Sequence, residues 1–207
     1  MRKLKKLKRK NRAQNRTLPN VFIGLGNPGP EYSQSRHNLG FWVIDILAEN
    51  LGIRLKKPVF SKYQLGRGIY EGKKIFLVKP LTYMNRSGLI IPSLRRKIKA
   101  RHENIVIICD HLDLPPGICR LKRKGSSGGQ KGLQSIIDNL GREDFFRLFI
   151  GIGRPPEGID IPRYVLEKIP QIENIMYESA VKKAVSSLLK LRKTNPEQVM
   201  NELNRKK

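Results

Sequence analysis

The amino-acid sequence predicts a single three-layer α/β domain: a mixed, twisted β-sheet surrounded by helices. Three observations carry that expectation. Short β-branched runs alternate with stretches of helical spacing from residue 21 onward, the pattern of a sheet covered by helices. Ile105 to Cys109 is continuously apolar, as in a strand at the centre of a sheet. Two further strand-like runs are divided only by Glu71-Gly72, a hairpin signal that makes the sheet mixed.

Taken in order, "NVFIG" reads as a strand ending in a Gly/Pro turn, and "NLGFWVIDILAENLG" as a helix. In that helix Phe41, Ile44, Leu47, Ala48 and Leu51 share one face, and Gly52 ends it. "KYQLGRGIYEG" and "KKIFLVKP" form the hairpin, and a basic helix is expected from about Arg86 to Ala100. After the central strand, "GICRLKRKG" alternates as a strand. The loop "GSSGG" opens a helix with Leu133, Ile136, Ile137 and Leu140 on one face. "RLFIGIG" gives the last strand, followed by a loop and two helices within Ile172 to Arg205. No internal repeat or linker divides the body.

The chain has 207 residues, 39% of them apolar and 7% aromatic, enough for one ordinary domain with a buried core. No apolar run approaches the roughly 18 residues a membrane span needs, and none near the N-terminus suits a secretory signal. A soluble, unexported protein is expected. Two cysteines, Cys109 and Cys119, are too few for a disulfide framework, and buried thiols in a reducing compartment are the expectation.

Charge points to a partner. Lys and Arg number 42 against 17 Asp and Glu, a formal net charge of +25. Nine of the basic residues, from Arg2 to Arg16, lie in residues 1–20 without a single acid. That segment is expected to be a disordered arm, with residues 21–207 forming the domain. The arm reads either as a solvated extension or organellar address, or as an RNA contact. Its Lys-rich, Ser-poor composition fits a transit peptide poorly, so the cytoplasm is expected, with an organellar matrix or stroma as the alternative. The rest keeps 33 basic against 17 acidic residues, clustered at Arg95, Arg96, Lys97, Lys99 and Arg101 and at Arg120, Lys122, Arg123 and Lys124. Such clusters release counterions from nucleic acid phosphates, so nucleic acid is the favoured partner.

Two glycine-rich motifs fail on context. Gly24 to Gly29 satisfies G-x-G-x-x-G, but Pro28, Pro30 and a polar run delay the helix that would receive a pyrophosphate. "GSSGGQKG" lacks the residue order of a P-loop. Cys109, His111 and Cys119 lack metal-ligand spacing, and His111 is expected to face solvent. His37 is different. It ends a Gly/Pro-rich strand-to-helix loop with Arg36, Asn38 and Asn27 nearby, and Asp110, closing the central strand, would reach the same sheet edge to orient an imidazole.

Together "GLGNPGPEYSQSRHNLG", "KPLTYMNRSG", "CDHLDLPPG", "KGSSGGQKGLQSI" and "RLFIGIGRP" resemble the bacterial-type peptidyl-tRNA hydrolase family, in that order, from about Val21 to the helix near Leu191. The resemblance implies hydrolysis of the ester between peptide and tRNA, recycling tRNA from aborted translation, by a monomer without metal or cofactor. It makes His37 the base that activates water, Asp110 its orienting carboxylate and Asn27 the amide that positions water or substrate. Asn85 would bind the peptide carbonyl, Tyr32 and Met84 would line the cleft, and Asp113 occupies a further family position. Lys122 would contact a tRNA phosphate, with Arg120, Arg123 and Lys124 extending that surface, and the basic arm is a candidate contact to the ribosome. Four positions depart from the pattern. His111 replaces an acid, Gln130 and Lys131 replace His-Asn, and Phe149 replaces an arginine expected near the tRNA 5′ phosphate. Lys131 is expected to help bind substrate, its charge serving an oxyanion. These departures motivate the alternatives: a non-catalytic RNA-binding relative acting in splicing or ribosome assembly, or an interaction module working through the arm.

Overall fold

The computed structural model describes residues 18–205; the expected arm therefore lies outside the described residues except for Leu18, Pro19 and Asn20. Those three are stitched to the body: the buried Arg192 guanidinium donates to the carbonyls of Leu18 and Pro19, and the Asn20 N–H donates to the Asn104 carbonyl.

Six strands form one sheet: β1 (Val21–Gly24), β2 (Tyr63–Tyr70), β3 (Lys73–Pro80), β4 (Ile105–His111), β5 (Cys119–Lys122) and β6 (Phe146–Gly151). Their spatial order is β2-β3-β1-β4-β6-β5. The four inner strands are parallel, and the two edges, β2 and β5, are antiparallel to their neighbours. The expected hairpin is there, with Tyr70 opposite Lys73 and positive φ at both Glu71 and Gly72. That is the two-residue turn whose twist matches the strands it joins.

The helices are α1 (Leu39–Asn50), α2 (Ile91–Ile98), α3 (Lys131–Leu140), α4 (Ile161–Leu166), α5 (Gln171–Lys190) and α6 (Pro196–Asn204). Strand alternation sorts the core into two clusters. Phe22, Leu77, Val106, Ile108 and Leu148 pack with apolar residues of α1, α5 and α6, whereas Val21, Ile23, Ile105, Ile107 and Phe149 pack with those of α2 and α3. Three layers result, as predicted. Cys109 and Cys119 are buried and free, in opposite clusters. Among the described residues no helix is long and apolar enough to cross a membrane.

Two local expectations are corrected. The basic helix expected from Arg86 to Ala100 is a 3-10 segment, Met84–Ile90, followed by the shorter α2. Pro92 has no N–H to give the Gly88 carbonyl four residues back, so a regular α-helix cannot run through it. Ile91 instead donates to Gly88 three residues back. The stretch before α5, expected as loop, contains the helix α4, whose first turn holds Pro162 where a missing N–H costs nothing.

The feature that positions the site is a close approach of backbones. A Cβ on Gly24 would stand 2.1 Å from the Gly40 carbonyl oxygen, and one on Gly40 2.5 Å from the carbonyl oxygens of both Ile108 and Leu25. The start of α1 therefore lies directly on the ends of β1 and β4, which only glycine permits. Gly40→Ala is expected to destabilise the fold by about 1–3 kcal/mol, the range for overpacking a close-packed interior. Urea unfolding should show a lower midpoint; an unchanged midpoint would disprove the contact.

Candidate active site

The chain leaves β1 toward β3 on one side of the sheet and reaches β4 on the other. The carboxyl ends of β1 and β4 thus border a topological switch point, where open α/β sheets form crevices. A cleft of about 290 Å³ opens there, and its lining includes Asn27, Tyr32, His37, Asp110, Gln130 and Lys131. Ile161, Pro162, Val165 and Leu166 of α4 also line it, as do Tyr83, Met84 and Asn85.

The segment after β1 makes two 3-10 turns, Pro30–Tyr32 and Arg36–Asn38, before α1 begins. His37 sits in the second turn and is held from both sides. The buried Arg36 guanidinium is paired with Glu173 of α5 at 2.8 Å and lies 4.2 Å from the ring centre of Tyr164 of α4. Asn38 accepts from the Asn27 N–H and donates to the Asn27 carbonyl. Asn27 is fixed in turn, because its Oδ1 accepts from the Met84 N–H at 2.7 Å. Among the described residues its Nδ2 makes no hydrogen bond, and Asn27 lines the cleft.

His37 Nδ1 lies 2.8 Å from Asp110 Oδ2. The ionised carboxylate can only accept, so Nδ1 carries the proton and Nε2 keeps a lone pair. Burial opposes the charged imidazolium, but the charge of Asp110 and its hydrogen bond outweigh it, holding the His37 pKa above its ordinary value while the Lys131 charge pulls it down. Burial would likewise raise the Asp110 pKa. The His37 charge and hydrogen bond, the Gln130 donor and a backbone hydrogen bond together keep it below the usual carboxylate range.

Gln130 precedes α3. Its Nε2 donates to Asp110 Oδ1 at 3.0 Å, and its Oε1 accepts from the Leu133 N–H at 2.8 Å. Lys131, the first residue of α3, is exposed on the cleft, and Asn85 is exposed with no side-chain hydrogen bond among the described residues. Tyr32 and Met84 also line the cleft. Arg120 and Lys122 project from alternate positions of β5, and exposed Arg123 and Lys124 follow. Asp113 stands outside the cleft lining, in an ion pair with Arg154.

His111 does not simply face solvent. It is half-buried on the cleft wall and meets the Phe149 ring edge-on with centroids 4.6 Å apart. Burial lowers its pKa, and the charges of Lys122 and Arg120 add to that against the opposing pull of Asp113 and Asp110. Phe149 is buried in the core beneath it. Sequence reasoning missed the contact of Gln130 with Asp110, the anchoring of Arg36 by Glu173 and the α4 wall. Only the first had a local signal: an acceptor side chain immediately before a helix.

This is an α/β protein of the enzyme class in which a histidine–carboxylate pair sits in a cleft at the strand ends. The profile described as "Peptidyl-tRNA hydrolase" matches residues 21–207. The chain is 44% identical over 184 residues to the peptidyl-tRNA hydrolase of Geobacillus kaustophilus, covering 89% of this chain and 98% of that protein. It is also 44% identical over 186 residues to that of Bacillus subtilis, covering 90% and 98%. A crystal structure of peptidyl-tRNA hydrolase from Acinetobacter baumannii superposes with a TM-score of 0.85 at 39% identity, covering 91% of this chain and 96% of that one. This chain belongs to the peptidyl-tRNA hydrolase family.

NMR titration of His37 is expected to place its pKa above that of an unstructured histidine. Asp110→Asn should lower it, since the attracting charge is lost while burial remains. A titration unmoved by that substitution would rule out the pairing.

Proposed function

We propose that this chain hydrolyses the ester joining a peptide to the 3′ ribose of tRNA, with His37 as general base. The observation that carries the reading is the His37–Asp110 bond at the cleft, in a chain of this family. With Nδ1–H held by the carboxylate, Nε2 takes a proton from water as its oxygen attacks the ester carbonyl. The tetrahedral intermediate collapses with release of the ribose oxygen, which recovers that proton from the imidazolium. An ester releases an alkoxide, so one base and a set of donors suffice and no covalent nucleophile is required. Asn27 would hold water or substrate through its Nδ2, Asn85 would bind the peptide carbonyl, and Lys131 would offset the oxyanion charge. Tyr32, Met84 and the apolar wall of α4 would receive the peptide.

Arg120, Lys122, Arg123 and Lys124 would hold tRNA phosphates along the exposed edge strand. The protein would act as a cytoplasmic monomer of one domain, residues 21–207, with the arm adding unspecific affinity for tRNA or the ribosome. A non-catalytic RNA-binding role is not favoured: the base, its carboxylate and both amides lie on one cleft.

The test is incubation with an N-blocked aminoacyl-tRNA and with the free aminoacyl-tRNA. Selective release of intact tRNA from the blocked ester is expected, with His37→Ala losing about 10²-fold or more in kcat while binding tRNA normally. Removing residues 1–17 should weaken binding and flatten its salt dependence, leaving the rate at saturation intact. Hydrolysis independent of His37, or none, refutes the reading.

Lys131→Ala is expected to lower kcat about 10-fold, the effect of losing part of an electrostatic stabiliser. It should also move the acid limb of the pH–rate profile upward, because the charge that lowers the His37 pKa is removed. If Lys131→Ala left the rate unchanged while Lys131→Asn raised it, the lysine would have no part in the reaction.

A further inference from the structure

Asp110 is a buried carboxylate with two oxygens that must do different things. Oδ2 faces His37 Nδ1, and Oδ1 faces Gln130 Nε2 at 3.0 Å. The orientation of the Gln130 amide is not arbitrary. The Leu133 N–H, 2.8 Å from Oε1, needs an acceptor, and the carboxylate needs a donor; only one of the two amide flips satisfies both. The side chain is itself buried, its Nε2 also lies 3.4 Å from Met84 Sδ, and its main chain is fixed by bonds from its N–H to the Ser127 carbonyl and from the Gln134 N–H to its own carbonyl. Gln130 is thus anchored at both ends and reaches across from the start of α3 to the end of β4.

A carboxylate with one partner can turn about its last torsion, and terminal torsions of this kind are broad. With Oδ1 pinned by a donor that is itself immobile, the carboxylate plane is set, and with it the line along which Oδ2 meets the imidazole. We propose that Gln130 is a positioning residue for the reaction. It fixes the carboxylate of Asp110 so that His37 is kept in its Nδ1–H tautomer with Nε2 turned to the cleft. The glutamine amide does not titrate, so its grip on the ionised Asp110 is independent of pH across the working range.

The inference rests on the reaction proposed above, and it competes with a plain structural role, in which Gln130 merely caps α3. The two part company at Gln130→Glu. That substitution keeps the length and the acceptor for the Leu133 N–H, and a carboxylate at a helix start is favourable, but in its ionised form it removes the donor to Asp110. A cap alone predicts a wild-type kcat on the pH plateau and a wild-type tautomer, whatever the added charge does to the acid limb.

Positioning predicts that folded Gln130→Glu, which melts earlier because a second carboxylate is buried beside Asp110, has its kcat at neutral pH lowered about 10- to 100-fold, the loss of a hydrogen bond to a charged group. KM should change little, and the acid limb of the profile should move to higher pH, because a second carboxylate favours the imidazolium. Nitrogen-15 NMR of the ligand-free protein, above the His37 pKa, should show the single Nδ1–H tautomer giving way to a mixture. Gln130→Met, uncharged and of similar length, should show the same loss of kcat and of tautomer, and it carries the test if Gln130→Glu does not fold. A wild-type kcat on the pH plateau and a wild-type tautomer in either folded variant would overturn the inference. If the wild-type chain shows no His37-dependent hydrolysis, the reaction itself is refuted, and the tautomer measurement still decides whether Gln130 orients the pair.

Discussion

The contact on which the rest depends is backbone against backbone, where Gly40 at the start of α1 meets the carbonyls of Leu25 and Ile108 and Gly24 meets that of Gly40. A helix that begins this close to two parallel strands projects the residues just before it over the strand ends. His37 is one such residue, and Asp110 lies two positions beyond Ile108 on the strand below. No long side chain has to span a gap to join them. Arg36 and Asn38, on either side of His37, take up the remaining freedom. One ties the turn to α5 through Glu173, the other ties it to the loop that carries Asn27.

A buried carboxylate is costly unless it is paired and hydrogen-bonded. Here Asp110 is compensated by His37 and Gln130 together, each anchored in a different layer of the molecule. The pair is therefore assembled only when both helical layers are docked on the sheet. The four departures from the family pattern also belong to this assembly. Gln130 reaches the carboxylate, Lys131 carries charge to the cleft from the next residue, and His111 and Phe149 meet edge-on, with His111 on the cleft lining. Phe149 is buried, so it cannot do what an arginine would do at the surface; positive charge lies instead on the adjacent edge strand at Arg120 and Lys122.

The cleft joins two unlike surfaces. One wall is the apolar face of α4, suited to side chains of varied kind because it offers area rather than specific partners. Toward β5 the surface is cationic, and phosphate contacts of that kind position a nucleic acid without reading its sequence. The His37–Asp110 pair lies in the same cleft as the α4 face; under the proposed reaction the peptide would take the apolar side and the tRNA the cationic one.

The sequence by itself determined the layers, the strands, most helices and the hairpin, because those follow from periodicity and turn residues over a few neighbouring positions. Glu71-Gly72 fixed a turn and Ile105 to Cys109 a central strand, each by local chemistry. It misjudged the stretch around Pro92 and missed α4, where a short helix has too few residues for a periodic signal. Motif order brought His37, Asp110 and Asn27 forward as a group, with no means of measuring their approach. Tertiary structure alone decided that Gln130 grips Asp110, that Glu173 holds Arg36 from 137 residues away, and that His111, half-buried, meets Phe149 edge-on. Such contacts depend on how whole layers dock, and docking distances are set by close-packed surfaces that no local run of residues encodes.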